Sequence, residues 1–244
     1  MAFTHLHVHT EYSLLDGSNK IREYVSRLKE LGMTAGAITD HGVMYGCIDF
    51  YKEAKAQGIR PILGCEVYVA PGSRFDREAG AGDDRYFHLI LLAENDEGFA
   101  NLTRLVSRGF IDGFYYKPRV DTELLEQFHE GLIATSACLA GEVQNLILKD
   151  RYEEAKAAAL KYERIFGRDN FFLELQDHGY PEQKKVNPML VRMSKETASV
   201  LLRPMTCIIP MRMMSSRTIS FSVCRQEKSF RMRTALNMKA DSST

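Results

Sequence analysis

The sequence predicts an α/β protein whose strands converge as in a parallel β/α barrel. Three observations carry that prediction. Short apolar runs alternate with stretches of about 10–15 residues that repeat their apolar positions every 3.6 residues. Nearly every apolar run ends in a histidine, carboxylate, thiol or amide. The composition, 45% hydrophobic with a net charge of zero over 244 residues, is ordinary for a globular enzyme.

Taken in order, FTHLHVHT (residues 3–10) reads as a strand and NKIREYVSRLKELGM (19–33) as an amphipathic helix. AGAITDHG (35–42) is strand-like and CIDFYKEAKAQG (47–58) helical. Two apolar strands follow, RPILGCEVYVA (60–70) and YFHLILLAE (86–94), separated by a Gly-rich, charged loop at 71–85. Then come a helix at 97–110, a strand in GLIATSACLAG (131–141), a helix at 150–166 and a strand in NFFLELQDHG (170–179). Strands separated by helices predict βα units and a parallel sheet.

Several function classes fall away at this level. The net charge of zero does not announce wholesale nucleic-acid coating. No apolar run approaches the roughly 18 residues of a membrane span, and the N-terminus carries no secretory pattern. The five cysteines, Cys47, Cys65, Cys138, Cys207 and Cys224, form no C-x-x-C pair, which predicts a reducing cytoplasm.

The polar strand ends hold the chemistry. His7 and His9 alternate on one face of the first strand, where two imidazoles can grip one cation or two neighbouring ones. An H-x-H alone is equally compatible with core or surface histidines, and His5, one step deeper, reads as a core residue. Asp40 and His41 end the second strand, where Asp40 is also a helix-cap candidate. Glu66 interrupts a strongly apolar strand, an expensive place for a carboxylate without a partner or a cation. His88 and Cys138 each have an ordinary core reading, and Gln176, Asp177 and His178 end the last strand. Together, imidazoles, carboxylates and a thiol from successive strands suit Zn, Mn or Fe. Such sites commonly hydrolyse phosphoesters. No P-loop or G-x-S-x-G competes with this reading.

On these residues the sequence resembles the PHP (polymerase and histidinol phosphatase) domain, in the form carried by bacterial replicative DNA polymerase alpha subunits. The resemblance lies in FTHLHVHTEYSLLDG, AITDHGVMYGCIDFYKEAKAQGIRPILGCEVYVA, YFHLILLAEN, GFYYKPRVD, GLIATSACLAGEV and FFLELQDHGYPEQKKVN, in that order, from Phe3 to Thr197. It implies a distorted (β/α)7 TIM-like barrel with up to three divalent metals, Zn or Mn. The implied ligands are His7, His9, Asp16, His41, Glu66, His88 and Cys138, all competent donors here, with Asp40 and His178 behind them. It also implies metal-dependent 3′–5′ exonuclease chemistry. The parent would be a Mg-dependent DNA polymerase acting on primer-template DNA beside a sliding clamp and a proofreading subunit. A stand-alone phosphatase of small phosphomonoesters and a non-catalytic scaffold are the competing classes.

The resemblance stops near residue 198, giving a PHP domain at 1–198 and a separate tail at 199–244. The tail holds eight Lys/Arg against two acids, whereas residues 1–198 hold 24 basic and 30 acidic side chains; six of the 11 methionines also lie in it. Where the family carries N-D-V-H-Y, whose Asp and His complete the metal site, this chain reads RPMTCIIPMRMM. Back-translation resolves the discrepancy. Read from the third base of the Pro204 codon, these codons admit Asn-Asp-Val-His-Tyr-Thr-His. The tail therefore reads as an out-of-frame translation, expected to be unstructured and to leave the barrel incomplete at its C-terminal end and the fragment inactive as written.

Overall fold

The computed structural model describes residues 4–14, 16–77 and 85–197, and the backbone of 200–202. The segment after residue 4 runs beside β1 (Ala35–Ile38) and leads through a turn into α1 (Ile21–Glu30). α1 buries Ile21, Tyr24, Val25 and Leu28, the i, i+3, i+4, i+7 stripe its sequence predicts. α2 (Cys47–Gln57) ends on Gly58 at φ 75°, a left-handed stop that glycine adopts without strain. Both helices pack on Val8 and Ile38 to cover one end of the sheet.

β2 (Arg60–Val69) is the central strand. It pairs in parallel with β1 through Arg60–Leu63 and antiparallel with β3 (Phe87–Ala93) through Gly64–Val69. α3 (Asp96–Ile111) follows, its first turn capped by Asn95 Oδ1 accepting from the Gly98 amide. The chain then makes the β4 (Phe114–Tyr115) and β5 (Lys117–Val120) hairpin, and β5 joins β2 in parallel at Tyr68 and Val69. α4 (Thr122–Gln127), capped by Asp121, leads to β6 (Leu132–Thr135). α5 (Glu142–Leu148), α6 (Tyr152–Phe166), β7 (Phe171–Glu174), α7 (Pro181–Thr197) and β8 (Val200–Leu202) complete the order.

The sheet order β4-β5-β2-β3-β6-β7-β8, with β1 on β2, curls into an open α/β half-barrel. Its principal core lies between the strands and α3 to α7, where Leu89, Leu91, Leu102, Leu105, Tyr162 and Phe171 are fully buried or nearly so. The partial barrel agrees with the fold class expected, with four local differences. The sheet is mixed rather than parallel, because β3 runs antiparallel to both β2 and β6. Residues 4–10 are extended beside β1 without forming a regular strand. The Ala37 amide donates to the His5 carbonyl and Thr39 to Val8, while the Val8 amide donates to the Thr39 hydroxyl, which displaces the next ladder bond. The β4–β5 hairpin, α4 and α5 are too short to carry a legible period. Finally, β8 crosses the boundary expected at 198: Val200–Leu202 pair in parallel with Phe172, Leu173 and Glu174. The remainder of the predicted tail, 203–244, lies outside the described residues.

Candidate metal centre

β2 turns Gly64, Glu66 and Tyr68 to the interior, and the register places His88 of β3 opposite Tyr68 on the same face. His41 arrives from the end of β1, bridged to Glu66. Gly42 then reverses the chain at φ 66°, where a Cβ would lie 2.8 Å from the Tyr68 ring. The N-terminal segment delivers His7 and His9, and its following turn Asp16. Elements distant in sequence thus meet around Glu66, which is completely buried.

His7 Nε2 lies 2.7 Å from Glu66 Oε2, His41 Nδ1 2.7 Å from Oε1 and His88 Nδ1 2.5 Å from Oε1. His9 Nε2 is 3.8 Å from Oε2 and 3.1 Å from His7 Nε2. His41 stacks on His9 at 4.1 Å, and its Nε2 meets Asp16 Oδ2 at 2.5 Å. These atoms form three overlapping ligand groups: His7, His9 and Glu66; His9, Asp16 and His41; and His41, Glu66 and His88, each with its atoms within 4.8 Å of one another.

The contacts around Glu66 are short, yet both of its oxygens and His41 Nδ1 are buried without a hydrogen bond of acceptable angle among the described residues. The distances make them ion pairs; the directions do not make them hydrogen bonds. Donor atoms that crowd a common centre without pointing at one another are arranged to face a cation. The residues present therefore fit a metal.

Surrounding groups set the imidazole tautomers. Glu174 Oε1 lies 2.7 Å from His7 Nδ1, which assigns the proton there and leaves Nε2 to the cluster. Thr135 Oγ1 donates to Glu174 Oε2 at 2.5 Å and Gln176 Nε2 to Oε1 at 2.6 Å. Ser13 Oγ, 3.4 Å from His9 Nδ1, plays the same part for His9 and also accepts from the His41 amide. Ser13 itself donates to Asp40, which further accepts from the Thr10 amide and hydroxyl. Asp40 thus acts through Ser13 on the His9 imidazole and the His41 backbone.

The electrostatics follow from this crowding. Burial opposes charge on His7, but Glu174 and Glu66 outweigh it and push its pKa up to about 10. His9 is held well below its ordinary value by burial, with His7, His41 and His88 adding repulsion that Glu66 only partly offsets. His41 is raised, burial being outweighed by Glu66 and Asp16. Burial resists ionisation of Glu66, yet His88, His41 and His7 hold it well below the carboxylate range. Burial and then Glu66 push the Cys138 thiol up, and its sulfur lies 3.6 Å from His88 Nδ1.

Of the nine site residues predicted, His7, His9, Asp16, His41, Glu66 and His88 fall in the three groups, and Cys138 touches their edge. His5 is buried and falls in none of the three groups. His178 is not brought in: it is exposed beyond β7, where Gln183 of α7 takes both its amide and its ring Nδ1. Glu174 is the residue sequence reasoning passed over. Its signal was the one used for Glu66, a carboxylate inside an apolar strand.

Fold and site together define an α/β half-barrel protein with a His/carboxylate cluster that could hold metal ions. The chain belongs to the PHP domain family, whose profile matches residues 5–178. It is 53% identical over 194 residues to the DNA polymerase III subunit alpha of Treponema pallidum (strain Nichols), covering 80% of this chain and 17% of that protein. It is 49% identical over 199 residues to the DNA polymerase III subunit alpha of Thermus aquaticus, covering 80% and 16% respectively. The chain thus spans about a sixth of the length of these curated relatives. Among solved structures, a two-domain protein from Bacteroides vulgatus ATCC 8482, containing a predicted PHP-like metal-dependent phosphoesterase, matches in fold. Its TM-score is 0.51 at 12% identity, over 86% of this chain and 53% of that one.

Proposed function

We propose that this chain is the PHP region of a replicative DNA polymerase alpha subunit and that its metal centre hydrolyses phosphodiester bonds at the 3′ end of DNA. The observation that carries the reading is Glu66, whose oxygens accept no hydrogen bond among the described residues and lie where ligand groups sharing His9, His41 and Glu66 overlap. Two high-identity relatives named as polymerase subunits support the setting.

His7, His9, Asp16, His41, Glu66 and His88 hold up to three ions, Zn or Mn, and Cys138 adds a thiolate beside His88. Bound metals would activate water and neutralise charge at the scissile phosphate. The chain's own residues orient that chemistry. Glu174 holds His7 with Nε2 inward, Asp40 holds His9 and His41 through Ser13, and Glu66 spans the groups. Hydrolysis adds water across the P–O bond, releasing a nucleotide and a proton.

In this reading the full-length parent is a Mg-dependent polymerase on primer-template DNA in the cytoplasm, with a sliding clamp and a proofreading subunit as partners. No helix among the described residues is long and apolar enough to cross a membrane. The frame change near residue 198 belongs to the proposal. Resequencing across codons 195–214 tests it: a one- or two-base correction restoring N-D-V-H-Y supports it, and an unchanged frame refutes it.

The activity test uses the frame-corrected protein loaded with Zn or Mn, with metal counted by mass spectrometry. Loss of 3′-terminal nucleotides from a 5′-labelled single strand, abolished by Glu66→Gln, is the expected result. Hydrolysis of small phosphomonoesters without DNA degradation would favour the free-standing phosphatase class. Metal binding with neither activity would favour a scaffold.

A further inference from the structure

Tyr116 sits at the tip of the β4–β5 hairpin, between the paired Tyr115 and Lys117. Its φ is 61°, a left-handed conformation that ordinarily selects glycine or asparagine. It is nevertheless a tyrosine, and 62% exposed. A bulky ring is therefore held in solvent at a conformational cost, a combination that clusters where a ligand is met.

Its surroundings are cationic and aromatic. The Arg85 guanidinium lies 4.5 Å from the Tyr116 ring, and the Lys117 ammonium lies 5.3 Å from the Tyr68 ring. Among the described residues both cations meet rings rather than carboxylates. From Tyr68, which the Lys117 ammonium overlies, aromatic contacts continue to the candidate ligands. Tyr68 packs on Tyr86 at 4.9 Å, on His88 at 5.3 Å and on His41 at 6.2 Å, and Tyr86 stacks on His88 at 6.0 Å.

The hairpin is braced from behind. Arg119 is buried and donates to the carbonyls of Gly113, Arg74 and Asp76, and its guanidinium lies 5.1 Å from the Tyr115 ring. Tyr115 in turn packs edge-on against Tyr116 at 4.7 Å. A ledge fixed this firmly loses little freedom when a ligand settles on it.

We infer that this ledge is a substrate subsite for single-stranded nucleic acid: a base stacks on Tyr116, and Arg85 and Lys117 take the flanking phosphates. Stacking on an aromatic face beside cations is how sequence-independent single-strand binding is built. The inference deepens the reading above by saying how a strand would be led to the ligands, and the following test separates the two.

The test is fluorescence anisotropy of a 5′-fluorescein-labelled oligothymidylate with the full chain, metal-free in chelator. The basic residues beyond 198 are the same in every variant. Tyr116→Gly should weaken binding about tenfold without lowering the Tm, because glycine relieves the left-handed strain. Tyr116→Phe should retain binding. Lys117→Ala should reduce the slope of log affinity against log salt by about 0.7, one phosphate contact on a single strand. Wild-type binding that survives Tyr116→Gly and Lys117→Ala overturns the ledge and leaves a protein partner as its occupant. Absence of binding, with a small phosphodiester still hydrolysed after metal loading, overturns the ledge but leaves the phosphoesterase reading intact. Binding that depends on Tyr116, with no phosphoester hydrolysed under any metal, supports the ledge and overturns the hydrolytic reading.

Discussion

Glu66 shows how one side chain can organise a site. Alone inside an apolar strand, its charge would be too costly to keep. Ringed by His7, His41 and His88 it stays ionised, and His7 and His41 hold their protons more tightly than a free imidazole in the absence of a cation. Metal loading must therefore displace protons, so apparent metal affinity should rise with pH, checked by competition with a chromogenic chelator across pH 6–9. Glu174 acts through His7, whose Nδ1 it meets. Glu174→Gln should cost about 10–100-fold in metal affinity, read by the same competition. The metal-free protein carries a pH signature of the same pair. His7 is raised from 6.5 to about 10, so its protonated contacts contribute fully below pH 6.5 and are lost as pH rises through about 10. Thermal scans of metal-free protein should show Tm falling over that window, and Glu174→Gln should flatten the fall.

At the scale of elements, the site depends on strands held at fixed register, and close backbone approaches hold them. Where α3 crosses the β6 approach, a Cβ on Gly98 would fall 1.8 Å from the Gly131 carbonyl oxygen. Neither backbone can yield without moving α3 off the sheet. Gly98→Ala should destabilise the fold by about 2 kcal/mol, measured as a lower urea midpoint at unchanged slope. The β4–β5 hairpin shows the opposite economy, with strain retained at Tyr116 while Arg119 fixes the backbone beneath it.

Across the whole molecule, residues 167 apart in sequence meet inside the half-barrel: His7 of the first segment lies 2.7 Å from Glu174 of β7. Binding a metal at His7 and Glu66 therefore ties the N-terminal segment to β2 as well as filling the site. A ligand that binds only the folded state stabilises it by about 2.7 kcal/mol at a hundredfold excess over its Kd. For a chain of this size that raises Tm by about 5–10 °C. Zn or Mn should produce such a rise in calorimetry, and Glu66→Gln should abolish it.

The sequence by itself determined the order of the main elements and most of the residues that cluster around Glu66, because apolar periodicity and polar strand ends are local signals. Glu66 was legible for that reason: its whole neighbourhood in the chain is apolar. The tertiary structure decided what depends on contacts between distant segments. It turned β3 antiparallel to β2 and β6, since an apolar run does not say in which direction its strand pairs. It made the N-terminal segment irregular, because the Thr39 hydroxyl enters its ladder. It brought Glu174 to His7 and carried His178 away to Gln183. Those outcomes rest on which side chains meet across the half-barrel, and the residues adjoining each in the chain carry no record of it.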